Sequence, residues 1–333
     1  MNCPPQTRLG IPHLYRCWQR RIVPLPSGPD PDHGERDLDA TLLSGLGINV
    51  LEATRFLNPQ TRPSFEELEN WVIETNGGFM DENELQRVRD ALAGRPVGSA
   101  AGNLDNVEGL TGEELAFWDQ HGYVVVHDAA PQATRDVAAA AIYEFLGASP
   151  SDPDSWYGKK FGHSIWVPLL RHPAFVANRK APRLVKAFAQ LWGREDLWPT
   201  IDQGGLNPPE RKNWQFPGPH VHWDTTLAAP HRFGVQGILY LTDTPAEQGA
   251  FCCIPGFHRT LPEWLASLAP GENPREAIRN YPGLTPIAGR AGDLVIWHHL
   301  LPHGASPNRG TLPRVAQYIT LHPTRCQYTA QWL

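Results

Sequence analysis

The sequence predicts an α+β protein with a mainly β core, flanked by helices and preceded by a helical extension. Beyond Leu197, short segments rich in β-branched and aromatic residues alternate with turn clusters, which indicates a sandwich or barrel rather than an α/β sheet. The 33 prolines and 30 glycines among 333 residues favour many turns and short strands. Before Leu197, apolar residues recur mainly at the three- and four-residue spacing of amphipathic helices.

Two regions are expected. Residues 1–36 are rich in Pro, Arg and Gly without a sustained period, so they predict an irregular arm. Residues 37–93 have helical periodicity, and the small, polar stretch at 95–103 indicates a linker. We therefore expect an N-terminal arm and helical extension over residues 1–105 and the principal domain over residues 106–333.

Three helices have a recognisable start. Ser64, Asp81 and Thr111 each stand three residues before a glutamate, which is the arrangement of a capping box. The helix after Thr111 is expected to end near His121 and to be followed by a strand over residues 122–130. Further helices are expected over residues 131–147 and 173–192, with a loop at 151–163 between them.

Six later segments predict strands, because each is short, apolar or alternating, and bounded by turn residues. They are LWPTID (197–202), HVHWDTTL (220–227), FGVQGILYLTD (233–243), GAFCCIP (249–255), AGDLVIWHH (291–299) and RVAQYITLHP (314–323).

Composition excludes several classes of protein. A formal charge of −6 and a pI near 6.2 argue against a general binder of nucleic acid or of anionic membranes. Five cysteines, an odd number without a C-x-x-C pair, predict reduced thiols rather than a disulfide scaffold. The N-terminal residues lack the apolar region of a signal peptide, and no apolar run approaches 18 residues. We therefore expect a cytoplasmic protein.

His222 and Asp224 are the first candidate metal ligands. In an extended chain, residues two apart point to the same face. Joined by an imidazole from His303, they would form a 2-His-1-carboxylate facial triad, which holds Fe(II) on one face and leaves the opposite positions open. The alternative is a surface strand with an ordinary His–Asp hydrogen bond.

A second stretch strengthens the metal hypothesis. Residues 292–308 read GDLVIWHHLLPHGASPN, Arg314 stands eleven positions after His303, and residues 249–258 read GAFCCIPGFH. This layout resembles the phytanoyl-CoA dioxygenase family of Fe(II)/2-oxoglutarate oxygenases. That family carries His-x-Asp, a Gly-Ala/Cys-x4-Pro-Gly-x-His turn, a Gly-Asp…His-Gly-Ser-x-x-Asn stretch, and an arginine eleven residues after the second histidine. The resemblance covers residues 108–325 or thereabouts.

The resemblance implies both a fold and a reaction. The fold would be a double-stranded β-helix, the jelly-roll of cupin-like proteins, with flanking helices and the N-terminal helical extension outside it. The reaction would use Fe(II), 2-oxoglutarate and O2, and would couple oxidative decarboxylation of 2-oxoglutarate to attack on an unactivated C–H bond.

The resemblance also assigns residues. His222, Asp224 and His303 would bind the metal, with neutral imidazoles and an ionised carboxylate. Arg314 would bind the far carboxylate of 2-oxoglutarate, because a planar and permanently charged fork suits that group better than lysine does. These four residues form the predicted catalytic set.

Further contacts to the cosubstrate are expected from Gln203 and Asn207, which precede the His-x-Asp segment; the alternative is that they are turn residues. The chain departs from the family pattern at Ala305, where the family usually has serine, and Ser306 follows it. A hydroxyl that could assist 2-oxoglutarate is therefore missing or displaced.

The residues leave the outcome of the reaction open. Hydroxylation of a small metabolite or natural-product intermediate is the leading hypothesis, and the same ligands would serve desaturation, cyclisation or stereoinversion. A cupin-like metal enzyme or a ligand-binding protein that does not use 2-oxoglutarate is the remaining alternative. The N-terminal extension is expected to cover the barrel, with contact to a second copy or to a carrier protein as the other options.

Overall fold

The computed structural model describes residues 7–22, 33–157 and 165–325, and the chain divides into two compact units. The first unit comprises the described residues of Met1–Asn103, with Arg194–Ile201 and the described part of Leu321–Ala330. The second unit comprises the described residues of Leu104–Gly193 and Asp202–Thr320. The domain boundary expected near residue 105 stays a prediction, because the first unit also contains two later segments.

In chain order, the helices of the described residues are α1 (Pro12–Ile22), α2 (His33–Arg36), α3 (Asp39–Gly45), α4 (Val50–Phe56), α5 (Phe65–Thr75), α6 (Glu82–Leu92), α7 (Gly112–His121), α8 (Gln132–Leu146), α9 (Pro173–Arg179), α10 (Pro182–Trp192), α11 (Phe257–Ser267) and α12 (Pro274–Ala277). The strands are β1 (Tyr123–Val126), β2 (Trp166–Val167), β3 (Leu197–Pro199), β4 (Gly204–Asn207), β5 (Val235–Tyr240), β6 (Phe251–Cys253), β7 (Thr285–Pro286), β8 (Leu294–His298), β9 (His303–Ala305), β10 (Arg314–Tyr318) and β11 (Leu321–Pro323). None of these helices is both long enough and apolar enough to cross a bilayer.

The first unit is a helical cluster with a small sheet. Its buried core includes Leu42, Leu68 and Val88 from the helices, Leu46 directly after α3, and Trp198 from β3. Strands β3 and β11 pair antiparallel within the same unit. The capping boxes predicted at the starts of α5 and α7 are confirmed by reciprocal side-chain bonds, and the Asp81 side chain caps α6.

The prediction of an irregular N-terminal arm is wrong for part of its length. Helix α1 begins with Pro12, whose fixed φ and missing N–H suit the first helical position. Leu14 and Cys17 are buried, and the ring of His13 contacts Asp39 with a 2.9 Å Nε2–Oδ1 distance. Leu14, Cys17 and Trp18 do recur at helical spacing, but they lie in a stretch rich in Pro, Arg and Gly in which that spacing is not sustained. The remaining arm residues, 1–6 and 23–32, lie outside the described residues.

The second unit contains the β core. Its larger sheet has six strands in the order β1-β8-β5-β10-β4-β2, and its smaller sheet has the order β7-β6-β9. Every pairing between these strands is antiparallel. Side chains from both sheets pack in one apolar cluster, including Ile238, Val295 and Ala316 from the larger sheet and Phe251 and Cys253 from the smaller. The predicted mainly β core with flanking helices is therefore confirmed, and the structure shows that its sheets are antiparallel.

The outer face of the larger sheet packs against helices. Gly204 lies against Phe175 and Ile142, and Gly237 lies against Phe188, so the glycines make room for side chains of α8, α9 and α10. Gly237 is the tighter position, because a Cβ there would stand 2.7 Å from the backbone oxygen of Ile319.

Two strand predictions need correction. The segment 220–227 is not a regular strand, since within it only His222 forms a bridge, to His303. Prolines 217, 219 and 230 bracket this segment and cannot donate to a ladder. The segment 314–323 forms two strands, β10 and β11, which belong to different sheets.

The packing at Gly237 can be tested by substitution. Gly237→Ala should lower the free energy of unfolding by about 1–3 kcal/mol, because the added methyl meets fixed backbone and a buried ring. Gly112→Ala is the matched control: its Cβ meets nothing within 4 Å in the first turn of α7, so it should be neutral or slightly stabilising. Equal stabilities of the two variants in urea denaturation would contradict this account.

Candidate metal centre

The two histidines are brought together by the backbone. His303 is the first residue of β9, where it pairs with Cys253 of β6. His222 and His303 exchange both backbone hydrogen bonds, at 2.9 and 3.0 Å. This reciprocal pair places a residue of an irregular segment directly beside a strand of the core.

The residues next to Asp224 are held by side chains. The indole of Trp223 is buried, and its Nε1–H donates to the Leu300 carbonyl at 2.8 Å. Arg275 of α12 donates to the carbonyl of Trp223 at 2.8 Å and to that of Thr225 at 2.6 Å. The backbone on both sides of Asp224 is therefore fixed without a strand.

His222, Asp224 and His303 converge on one point. One ligand atom from each lies within 4.8 Å of the others, and this is the one such His/Cys/Asp/Glu group found among the described residues. The Nε2 atom of His222 is 3.3 Å from Asp224 Oδ1, and that of His303 is 3.5 Å from Asp224 Oδ2. This is the predicted triad in space.

The orientation of both rings suits a metal ion. The Nδ1 atom of His222 lies 2.7 Å from the His220 carbonyl, and that of His303 lies 3.0 Å from the Leu301 carbonyl. A carbonyl only accepts, so each Nδ1 carries the proton and donates. In the neutral rings, the Nε2 lone pairs then face a carboxylate, and a metal ion at this point would satisfy all three acceptors.

The pKa shifts of His222 and Asp224 show that positive charge is favoured between these groups, whether it is carried by a proton or by a metal ion. Burial lowers the pKa of His222, but the hydrogen bond and charge of Asp224 outweigh burial and raise that pKa above its ordinary value. Burial raises the pKa of Asp224, yet its bonds with His222 and His303 hold that pKa far below its ordinary range. The carboxylate is thus ionised at neutral pH, as a metal ligand must be.

A cavity of about 360 Å³ opens beside the triad, within the usual range for small-molecule sites. Besides the triad, its polar lining includes Asp202, Gln203, Gln236, Arg314 and Thr320. Its aromatic lining consists of Trp166, Phe251, Trp297 and Tyr318.

Arg314 is the most unusual group in this cavity. It is the first residue of β10 and fully buried, and none of its three guanidinium nitrogens has a hydrogen-bond partner among the described residues. A buried and permanently charged group without a partner is costly. The cavity is therefore built to receive an anion at Arg314.

The two other residues predicted to contact the cosubstrate, Gln203 and Asn207, differ in their position relative to the cavity. Gln203 lines the cavity, and its contact with 2-oxoglutarate stays a prediction. Asn207 is buried opposite Arg314 in the β4–β10 pairing, and its Nδ2 donates to the Ser306 carbonyl at 3.1 Å. Asn207 is not among the residues that line the cavity. The hydroxyl of Ser306 donates to the Ala250 carbonyl, so it does not replace the serine that the family has at position 305.

Sequence reasoning missed two residues of the centre. Gln236 of β5 donates from Nε2 to Asp224 Oδ2 at 2.8 Å, and alternation with Ile238 along a predicted strand could have placed it on the inner face. Arg275 had no signal, because its partners are backbone carbonyls of a distant segment.

An antiparallel β core with two histidines, a carboxylate and a buried arginine around one cavity defines a 2-oxoglutarate oxygenase type of centre. The family model of phytanoyl-CoA dioxygenase (PhyH) matches residues 118–316, more than half of the chain. The chain belongs to this family. The resemblance is thereby confirmed, together with the Fe(II), 2-oxoglutarate and O2 that the family uses.

Individual relatives are distant. A Dictyostelium discoideum protein named after phytanoyl-CoA dioxygenase is 22% identical over 262 residues, covering 62% of this chain and 74% of that protein. HygX from Streptomyces hygroscopicus, solved with nickel and 2-oxoglutarate, is 17% identical with a TM-score of 0.48, covering 67% of this chain and 91% of HygX. The non-haem α-ketoglutarate-dependent carbocyclase SnoK from nogalamycin biosynthesis is 19% identical with a TM-score of 0.47, covering 68% and 87% of the two chains.

Metal binding can be tested without a substrate. Asp224→Ala should weaken Co(II) binding by about 100-fold or more, since even a group that merely supports a ligand contributes 10–100-fold. His220→Ala is the control, because its backbone carbonyl, which holds His222, remains in place. Competition with a metal-indicator dye measures both affinities. Unchanged affinity in Asp224→Ala would exclude this centre.

Proposed function

We propose that the protein hydroxylates an unactivated C–H bond of a small metabolite or natural-product intermediate, with release of succinate and CO2. The observation that carries the proposal is the buried, unpaired guanidinium of Arg314 in the same cavity as the triad. When bound, Fe(II) would supply activation of O2 at the expense of 2-oxoglutarate.

The protein's own residues would act by binding and orientation. His222, Asp224 and His303 would hold Fe(II) through the atoms that converge on one point. Arg314 would bind the far carboxylate of 2-oxoglutarate with its planar fork, and Gln203 would add a neutral polar contact. The buried position of Arg314 makes each of these charge-assisted bonds stronger than it would be in water.

The cavity walls would exclude water from the reacting atoms. Phe251 and Trp297 contact the His303 ring, with ring centroids 6.0 and 5.0 Å from it. Apolar surface next to the ligands limits the entry of water and keeps reactive species from side reactions. A small molecule is the substrate class that suits a cavity of this size.

We further propose that the β core is a double-stranded β-helix. Two antiparallel sheets that share one apolar cluster support this fold, as does the position of the three ligands beside that cluster. A cover of this core by the N-terminal extension, and a cytoplasmic location, remain predictions from the sequence.

The identity of the product requires its own measurement. The same three ligands would serve desaturation, cyclisation or stereoinversion, so we expect succinate release to identify a substrate and mass analysis to identify the product. A product heavier by one oxygen atom would support hydroxylation. A product lighter by two hydrogen atoms, or an isomer, would replace it with one of the other reactions.

Arg314→Met tests the use of 2-oxoglutarate. Loss of one partner of a buried charge pair costs about 2–5 kcal/mol, so affinity for 2-oxoglutarate should fall at least about 30-fold. The measurement is the visible charge-transfer band of anaerobic protein with Fe(II) and 2-oxoglutarate. Co(II) affinity should not change, and the ligand-free variant should be at least as stable as the wild type, because it has lost an unpaired buried charge.

The alternative enzyme would show a different pattern. A cupin-like metal enzyme that does not use 2-oxoglutarate would bind metal, but neither the wild type nor Arg314→Met would give the charge-transfer band with Fe(II) and 2-oxoglutarate. That result would overturn the proposed function.

A further inference from the structure

The side chain of Asp224 needs a restraint that its backbone does not provide. Arg275 fixes the carbonyls on both sides of Asp224, but a backbone clamp leaves the two side-chain torsions free. The Asp224 side chain is 52% exposed, so packing does not choose its rotamer either. An ionised carboxylate in this position could turn towards water and away from the histidines.

Gln236 is placed to supply the restraint. It lies on β5, directly opposite Trp297 of β8, so its backbone is fixed in the centre of a sheet. Its Nε2 stands 2.8 Å from Asp224 Oδ2. An ionised carboxylate only accepts, so the amide nitrogen and not the amide oxygen must face it. The chemistry therefore assigns the orientation of this amide.

The other end of the amide strengthens the assignment. Oε1 of Gln236 is buried and has no hydrogen-bond partner within the described parts of the chain. A buried carbonyl without a partner costs free energy. Reversal of the amide would bury the NH2 group without a partner instead, and would also bring the amide oxygen against the Asp224 carboxylate. The arrangement is thus maintained for the contact with the carboxylate.

We propose that Gln236 is a positioning residue of the metal centre, which holds the Asp224 carboxylate in the rotamer that faces both Nε2 atoms. The proposal rests on the proposed function, because it takes His222, Asp224 and His303 to be the metal ligands. What it adds is that the neutral amide of Gln236, on β5, holds the carboxylate of Asp224, which lies on an irregular segment, towards the metal site.

Gln236→Met tests the role with little change in side-chain volume. Loss of a group that orients a ligand typically lowers metal affinity 10–100-fold, and we expect an effect of about that size on the Co(II) dissociation constant. The visible absorption of bound Co(II) should also change, because it reports the geometry of the ligands. A purely structural role would lower thermal stability and leave that spectrum unchanged.

Gln203→Met is the matched control, since Gln203 lines the same cavity, whereas the amide bonded to Asp224 is that of Gln236. It should keep the wild-type Co(II) affinity and spectrum. If Gln236→Met does not fold, Gln236→Ala removes the amide without adding bulk and should show the same loss.

Three results would overturn the proposal. If Gln236→Met binds Co(II) within twofold of the wild-type affinity and with the wild-type spectrum, Gln236 does not position Asp224, although the metal centre itself stands. An equal loss in Gln203→Met would assign the effect to the polarity of the cavity. Equal Co(II) affinities of the wild type and Asp224→Ala would instead refute the metal centre itself, and the proposed function with it.

Discussion

The reciprocal backbone pair between His222 and His303 is the constraint on which the centre depends. It joins an irregular segment to β9, and β9 is itself paired with β6 in the smaller sheet. Because both bonds are between backbone groups, they position the two residues whatever their side chains are. The side chains then need only a ring orientation, which the carbonyls of residues 220 and 301 provide through Nδ1.

The buried charge of Arg314 suits the cavity to an anion. Two titratable neighbours, Cys252 and Tyr240, do not neutralise it: burial raises the pKa of the Cys252 thiol to about 12 and raises the pKa of Tyr240 above its ordinary value. Both groups are therefore uncharged at neutral pH, although Arg314 opposes each shift. The phenol of Tyr240 is moreover engaged with the backbone of Ile287 and Phe251. The protein thus leaves a buried positive charge for a ligand to balance, and an anion bound there would restore the stability that this charge costs.

The sequence was informative where spacing carries chemistry and less so where tertiary packing decides. His222, Asp224, His303 and Arg314 could be named because their residue types and spacing match the pattern of the phytanoyl-CoA dioxygenase family. The strand predicted over 220–227 was wrong, since a segment with prolines on both sides can be extended at its ligands without joining a ladder. Arg275 could not be found at all, because backbone carbonyls attract an arginine without leaving any pattern in the sequence.

The three ligands differ in how firmly the fold supports them. The side chain of His303, on a strand, is 5% exposed; that of His222, on a single bridge, is 33% exposed; and that of Asp224, on a clamped segment, is 52% exposed. From His303 to His222 to Asp224, the sheet thus provides less and less support. The carboxylate of Asp224 lies on a segment outside any strand. Its position therefore depends on contacts such as those of Arg275 and Gln236. Substitutions of Arg275 or Gln236 would therefore change how the carboxylate is presented while His222, Asp224 and His303 stay the same.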